Sequence, residues 1–456
     1  MPAILPILFA LSPALPKTSA RQLSHIVVAI LAMTGRITQL GISRWTDQGG
    51  SYRTIQRFFH TNIDWLAVKW RFFELFVYDR QGVYLLAGDE TVITKAGKQT
   101  FGLDRFFSSL LDKAVPGLAC FSLALVHVGK RQAYSLCNEQ VIRSQEEKAQ
   151  AKARQHKRKA GQKNKKSARP RGRPKGSKNK DKTQATLSAE LLRIQAQTKK
   201  ALVWIQQKMS VTYFVLDGHF GNHLAGQMVR QCGLHLISKM RSDAALYREP
   251  TALQKQLQPR LKYGDRLDFD QMPQEHLRSS QTQDGYLIQV YQVRCLHKQF
   301  AYRLNVVVIV KTHLASGRVG HVVLFSSDLF LTAETLLDYY TLRFQIEFTF
   351  RDAKQHFGLE DFMSLTKTSV ANAMSLSFFM VNLSSYLLCS LRPHVEGAGI
   401  WDLKSWYRGR HYASALLKML PQKPEAIICE YLLAQIGRLG LIHPPCQKVA
   451  DWERAA

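Results

Sequence analysis

The sequence predicts an α/β fold: a strand-and-helix core interrupted by a β-rich insertion, with helical N-terminal and C-terminal regions. Three observations predict it. Apolar runs of strand length at residues 83–93, 118–128, 132–136, 211–217 and 234–240 are interleaved with stretches of helical periodicity. Residues 241–330 are β-rich instead, with alternating runs at 286–296 and 300–310 that meet at His297-Lys298. From Thr332, a good helix cap, a long helical pattern begins.

A chain of 456 residues is long enough for two to four domains. The expected divisions are a helical, candidate DNA-binding region (1–80), a first core part (81–146), a basic disordered insert (147–184) and a second core part (185–240). The β-rich insertion (241–330), core helices (331–395) and a helical C-terminal region (396–456) complete the chain. Hydrophobic residues make up 46%, so a large buried core is available. The formal net charge of +29 points to a polyanionic partner, and nucleic acid is the commonest.

In the first region, Leu23, Ile26, Val27 and Ile30 recur at helix spacing. Gly49-Gly50 breaks the pattern, Ser51 can cap the next helix, and Thr61 or Asn62 another. Arg53, Arg57, Lys69 and Arg71 interleave with aromatics, which suits either DNA-binding helices with basic faces or a plain helical bundle. Residues 1–15 are apolar but lack a positive leader segment, and Pro2, Pro6 and Pro13 interrupt them. Asn372, Asn382 and several serines make 370–391 a buried helix rather than a membrane span. The seven cysteines are widely spaced and form no C-x-x-C pair, as expected of reduced thiols in a cytoplasmic protein.

Between Lys148 and Lys182 stand 11 Lys and 5 Arg against the single acid Asp181. Such a run cannot bury a core. Within it, Pro170-Arg171-Gly172-Arg173-Pro174 resembles an AT-hook, in which Arg171 and Arg173 would enter a narrow minor groove. Attraction to phosphates without regard to sequence is the other reading.

Asp89 and Asp217 each close an apolar strand-like run, where a carboxylate can hold a divalent metal from a rigid platform or simply start a turn. The third acid is set apart by helix geometry. With Tyr340 at zero and about 100° per residue, Arg343, Glu347 and Lys354 fall at about 300°, 340° and 320°. Leu342, Ile346, Phe350, Ala353 and Phe357 form the adjoining core stripe. Glu334, Asp338 and Asp352 point to the solvated side. Glu347 is therefore the one acid there beside the core. Lys354 lies about 10 Å further along the axis, at the distance of a neighbouring phosphate. Arg343 is suited to gripping a phosphate, and Tyr340 to stacking or bonding one. An amphipathic helix with an ordinary ion pair has the same pattern.

The spacing Tyr340, Arg343, Glu347, Lys354 resembles the Y-R-E-K signature of bacterial DDE transposases of the "insertion sequence four" type. The run Asp217-Gly218-His219-Phe220 also resembles that family after its second Asp. The element order is similar to a ribonuclease H-like core. The resemblance implies catalytic and metal-binding roles for Asp89, Asp217 and Glu347, with two Mg²⁺ ions per site and Mn²⁺ as a substitute. It implies DNA contacts by Tyr340, Arg343 and Lys354. It further implies a cytoplasmic, nucleoid-associated bacterial enzyme that cuts at terminal inverted repeats and joins them to target DNA as a homodimer. A decayed, DNA-binding relative and a ribonuclease H-like nuclease share the three acids. Two departures are plain: residues 241–330 hold no Trp to grip a flipped base, although Tyr247, Tyr263, Tyr286, Tyr291 and Tyr302 are present, and the basic insert falls between Asp89 and Asp217, where the family pattern offers no residue to match it.

Overall fold

A computed structural model describes residues 4–46, 50–108, 111–149, 153, 182, 186–422 and 424–444. Arg171 and Arg173 lie outside the described residues. The chain opens with α1 (Ile4–Ala10), α2 (Lys17–Ala32), α3 (Gln39–Arg44), α4 (Tyr52–His60) and α5 (Trp65–Phe72). Strands β1 (Tyr84–Thr94), β2 (Asp104–Ser108), β3 (Lys113–His127) and β4 (Gln132–Val141) follow. Next come α6 (Ala189–Ile205), β5 (Tyr213–Leu216), α7 (His223–Gln231) and β6 (His235–Lys239). Then come β7 (Leu246–Tyr247), α8 (Ala252–Leu257), β8 (Leu277–Gln283), β9 (Tyr286–His297), β10 (Leu304–His313) and β11 (Val319–Ser326). The chain ends in α9 (Ala333–Leu342), α10 (Phe344–His356), α11 (Lys367–Leu391), α12 (Ile400–Met419) and α13 (Ala426–Leu439).

The strands form one mixed sheet in the order β2-β3-β1-β5-β6-β11-β10-β9-β7, with β4 also on β3 and β8 on β9. β1 runs antiparallel to β3 and parallel to β5, and β5 runs parallel to β6. The β-rich stretch does not stand off from this sheet. β11 pairs antiparallel with β6, so β11, β10 and β9 prolong it. The sequence reading missed β2 and, within the stretch read as β-rich, gave no bounds for β7, β8 and β11. β2 is a short edge strand opening on Asp104-Arg105, and β11 begins exposed at Val319-Gly320.

The N-terminal helices share the central core. Trp65 Nε1 donates to Asn372 Oδ1 on α11 at 2.8 Å, and Asn372 Nδ2 donates to the Phe59 and Thr61 carbonyls. Asn382, also on α11, exchanges two hydrogen bonds with the Ser135 backbone on β4. These bonds explain amides in so apolar a helix. α11 has the length and hydropathy of a membrane span, but 78% of its most apolar window is buried by the protein itself.

Two local expectations fail. Asp64, rather than Thr61 or Asn62, caps α5, accepting from the Leu66 and Ala67 amides. Lys69 does not lie on a basic face, because α5 is buried nearly all round and Lys69 is fully buried. Arg53 and Arg57 on α4 are exposed, as expected.

Candidate active site

The strand register brings two acids together. Gly88 of β1 pairs with Leu216 of β5, so the next residues, Asp89 and Asp217, emerge on adjacent strands. Such strands lie about 4.8 Å apart. Gly88 is needed for this approach, since a Cβ there would stand 2.9 Å from both Phe121 and Phe214. Ser238 Oγ donates to the Asp217 carbonyl at 2.8 Å and ties the end of β5 to β6.

The third acid arrives on a broken helix. The long helix expected from Thr332 is capped there but divides at Arg343 into α9 and α10. At the break, Arg343 N donates to Tyr340 O and Ile346 N to Arg343 O, spans of three residues instead of four. The residue at the break is the one that reaches inward.

The guanidinium of Arg343 lies among the three carboxylates. It stands 3.1 Å from Asp89, 2.8 Å from Glu347 and 4.0 Å from Asp217. Arg343 is only 5% exposed, its Nε has no partner among the described residues, and its charge lies 4.7 Å from the Phe344 ring centre. The three carboxylates raise its pKa against the opposing effect of burial. Burial is also the main cause that lifts the Asp89 carboxyl to about 6, opposed by Arg343 and reinforced by Asp217 and Glu347. Glu90 is exposed and its carboxylate makes none of these contacts.

Tyr340 is half-buried beside the cluster, its ring 5.9 Å from the Arg343 charge. Lys354 is held by the protein instead of standing free toward a ligand. Its Nζ donates to the Val92 carbonyl at 2.6 Å and lies 3.5 Å from Glu360. Beside Asp89 and Asp217 opens a cleft of about 820 Å³ between α6 and the sheet. Its wall includes Glu190 and His219, 3.4 Å apart, which the sequence reading did not single out. His219 lies within the Asp217–Phe220 turn, so its place beside Asp217 was available from spacing alone.

Three carboxylates offer the hard oxygens that a divalent cation prefers. Among the described residues, no three His, Cys, Asp or Glu side chains are already grouped as a metal site. The acids are grouped around a cation nonetheless, the Arg343 guanidinium. In donor type and charge, Asp89, Asp217 and Glu347 fit a divalent metal ion.

A family model described as DDE superfamily endonuclease matches residues 10–295, more than half of the chain. The chain belongs to this family. For a DDE endonuclease the expected substrate is DNA, and divalent metals generally support cleavage. The matched residues include Asp89 and Asp217 and end before Glu347, so the family match does not reach the third acid, which geometry places beside Arg343. No curated protein sequence matches this DDE endonuclease.

Proposed function

We propose that the chain is a DNA transposase that cuts at the terminal inverted repeats of its element and joins the ends to target DNA. The observation that carries this reading is the convergence of Asp89, Asp217 and Glu347 on one buried cation. The strand order β4-β3-β1-β5-β6, with β1, β5 and β6 parallel, supports a ribonuclease H-like core. The Y-R-E-K spacing on α9 and α10 supports the "insertion sequence four" type.

In this reading Asp89, Asp217 and Glu347 hold two Mg²⁺ ions, which would activate the attacking oxygen and stabilise the leaving one. The chain's own part is placement. β1 and β5 fix two carboxylates on one rigid edge, and α10 brings the third. Arg343 neutralises them in the absence of DNA and can grip a backbone phosphate as DNA enters. Tyr340 flanks that phosphate, Lys354 reaches the next only by exchanging its bonds to Val92 and Glu360 for it, and Arg171 and Arg173 add encounter with DNA through their charge. The enzyme works as a homodimer in the bacterial cytoplasm, bound to the nucleoid.

The test is strand transfer of an oligonucleotide carrying the element's own ends into plasmid, with Mg²⁺. Wild-type protein should join the two. Asp89→Ala, Asp217→Ala and Glu347→Ala should bind the ends but lose joining by at least about 1000-fold, about 4 kcal/mol of barrier. Cleavage without joining by the wild type would reduce the reading to a nuclease. Full joining by Glu347→Ala would overturn the site.

A further inference from the structure

α10 has a second face. At about 100° per residue, Gln345, Thr349, Asp352 and His356 fall about 140–180° from Glu347. That face lines a groove of about 350 Å³, with α11 as the other wall and the β3–β4 turn at its mouth. Four cations line it, Lys130, Arg131, Arg351 and Arg392, against one acid, Asp352.

The positive charge is available to a ligand. Lys130 to Asp79 (3.4 Å), Arg131 to Asp338 (2.6 Å) and Arg351 to Asp352 (2.9 Å) are pairs whose cations are about half exposed. Exposed pairs of this kind exchange partners at little cost. Arg392 makes no ion pair among the described residues. The floor is prepared as well. His356 is 9% exposed, and its Nδ1 is buried without a partner among the described residues. Phe348 is exposed at the rim with the Arg351 guanidinium 5.0 Å from its ring centre.

We propose that this groove binds the sugar–phosphate backbone of a duplex DNA segment other than the one entering the carboxylate site. Cations on flexible stems recognise phosphates and not base edges, so the contact carries no sequence preference. α10 stands between the groove and the three acids, and one straight duplex cannot occupy both of its faces. The inference rests on the transposase reading, because strand transfer needs two DNA segments at once.

The experiment measures binding of a fluorescent random-sequence duplex by anisotropy as a function of KCl. It compares wild type with the triple variant Lys130→Ala, Arg351→Ala, Arg392→Ala. These side chains are exposed, so the fold should persist, and a thermal melt checks it. Each lost phosphate contact lowers the slope of log affinity against log salt by about 0.9. The variant should therefore bind with a slope shallower by roughly 2–3. A second variant, Lys130→Arg, Arg351→Lys, Arg392→Lys, should restore the slope, because charge is what is required. An unchanged slope and affinity in the alanine variant overturns the groove. So does a thermal shift with inorganic phosphate that the alanine variant loses while its duplex binding stays intact, which marks a small-anion site. Failure of the wild type to bind any duplex sinks the transposase reading itself, a separate result.

Discussion

Arg343 and Lys69 are both buried cations, and the protein treats them in opposite ways. Arg343 has carboxylates on every charged contact, and they hold its proton firmly. Among the described residues, Lys69 has no carboxylate partner. Its ammonium meets the Asn138 side-chain oxygen and the Phe378 ring face, 5.7 Å away. Burial accordingly pushes Lys69 down to about 7 from 10.5. A guanidinium cannot escape by losing its proton, so it is buried only where counter-charge waits for it. Arg343 is thus evidence of a site in a way that Lys69 is not. The acids around it remain when it leaves.

The largest expected effect comes from removing the compensated cation. Arg343→Ala leaves three carboxylates facing one another. Breaking a fully buried pair costs about 3–5 kcal/mol. Asp217 and Glu347 are nearly half exposed, at 46% and 43%, which lowers the expectation. A loss of roughly 3 kcal/mol in metal-free urea unfolding is expected. Added Mn²⁺ should then raise the melting temperature of Arg343→Ala more than that of wild type, since the competing cation is gone. Equal shifts in the two proteins would show that Arg343 does not occupy the metal's place.

The uncompensated cation yields a pH effect. Between pH 7 and 10.5 the unfolded chain carries a proton at Lys69 that the folded chain lacks. Stability therefore rises with pH in that window, by at most about 1.4 kcal/mol per unit for one proton. From pH 7 to 9 the wild type should gain roughly 2 kcal/mol relative to Lys69→Met. Parallel curves for the two proteins would mean that Lys69 stays charged in the core.

The platform beneath the acids comes third. Gly88→Ala forces Phe121 or Phe214 to move and should cost about 1–2 kcal/mol. Mn²⁺ binding, read by calorimetry, should weaken with it as Asp89 shifts away from Asp217. Unchanged binding would show that the register of β1 on β5 does not tune the site.

How much of this was legible in sequence differs from residue to residue. Glu347 was, because helical angles beyond Arg343 follow a single period and the break lies before it. Asp89 and Asp217 were visible as strand ends, but their adjacency depends on Gly88 meeting Leu216, a pairing between segments far apart in sequence. The position of Arg343 was not legible for the same reason. Three separate elements must meet before it is surrounded, and the spacing alone suggested a cation open to DNA. Lys69 carried a usable signal that could have decided between the two readings left open for this region. Trp65, Leu66, Val68, Trp70 and Phe72 surround it in α5, and a helix apolar on all sides is a buried one.

The smallest effect is the control on the comparison. Arg131 and Asp338 form the shortest of the three pairs at the groove mouth, at 2.6 Å, yet their side chains are 49% and 41% exposed. If burial decides what an ion pair contributes, then distance alone should count for little here. Arg131→Ala should change stability by less than about 1 kcal/mol, with a loss that shrinks as salt is raised. Arg131 also adopts a φ of 48°, which a non-glycine residue holds at some cost and alanine holds no better. Arg131→Gly should therefore recover what the alanine variant loses, or exceed the wild type slightly. A loss near that of Arg343→Ala, insensitive to salt and not relieved by glycine, would show that geometry and not burial separates the two arginines.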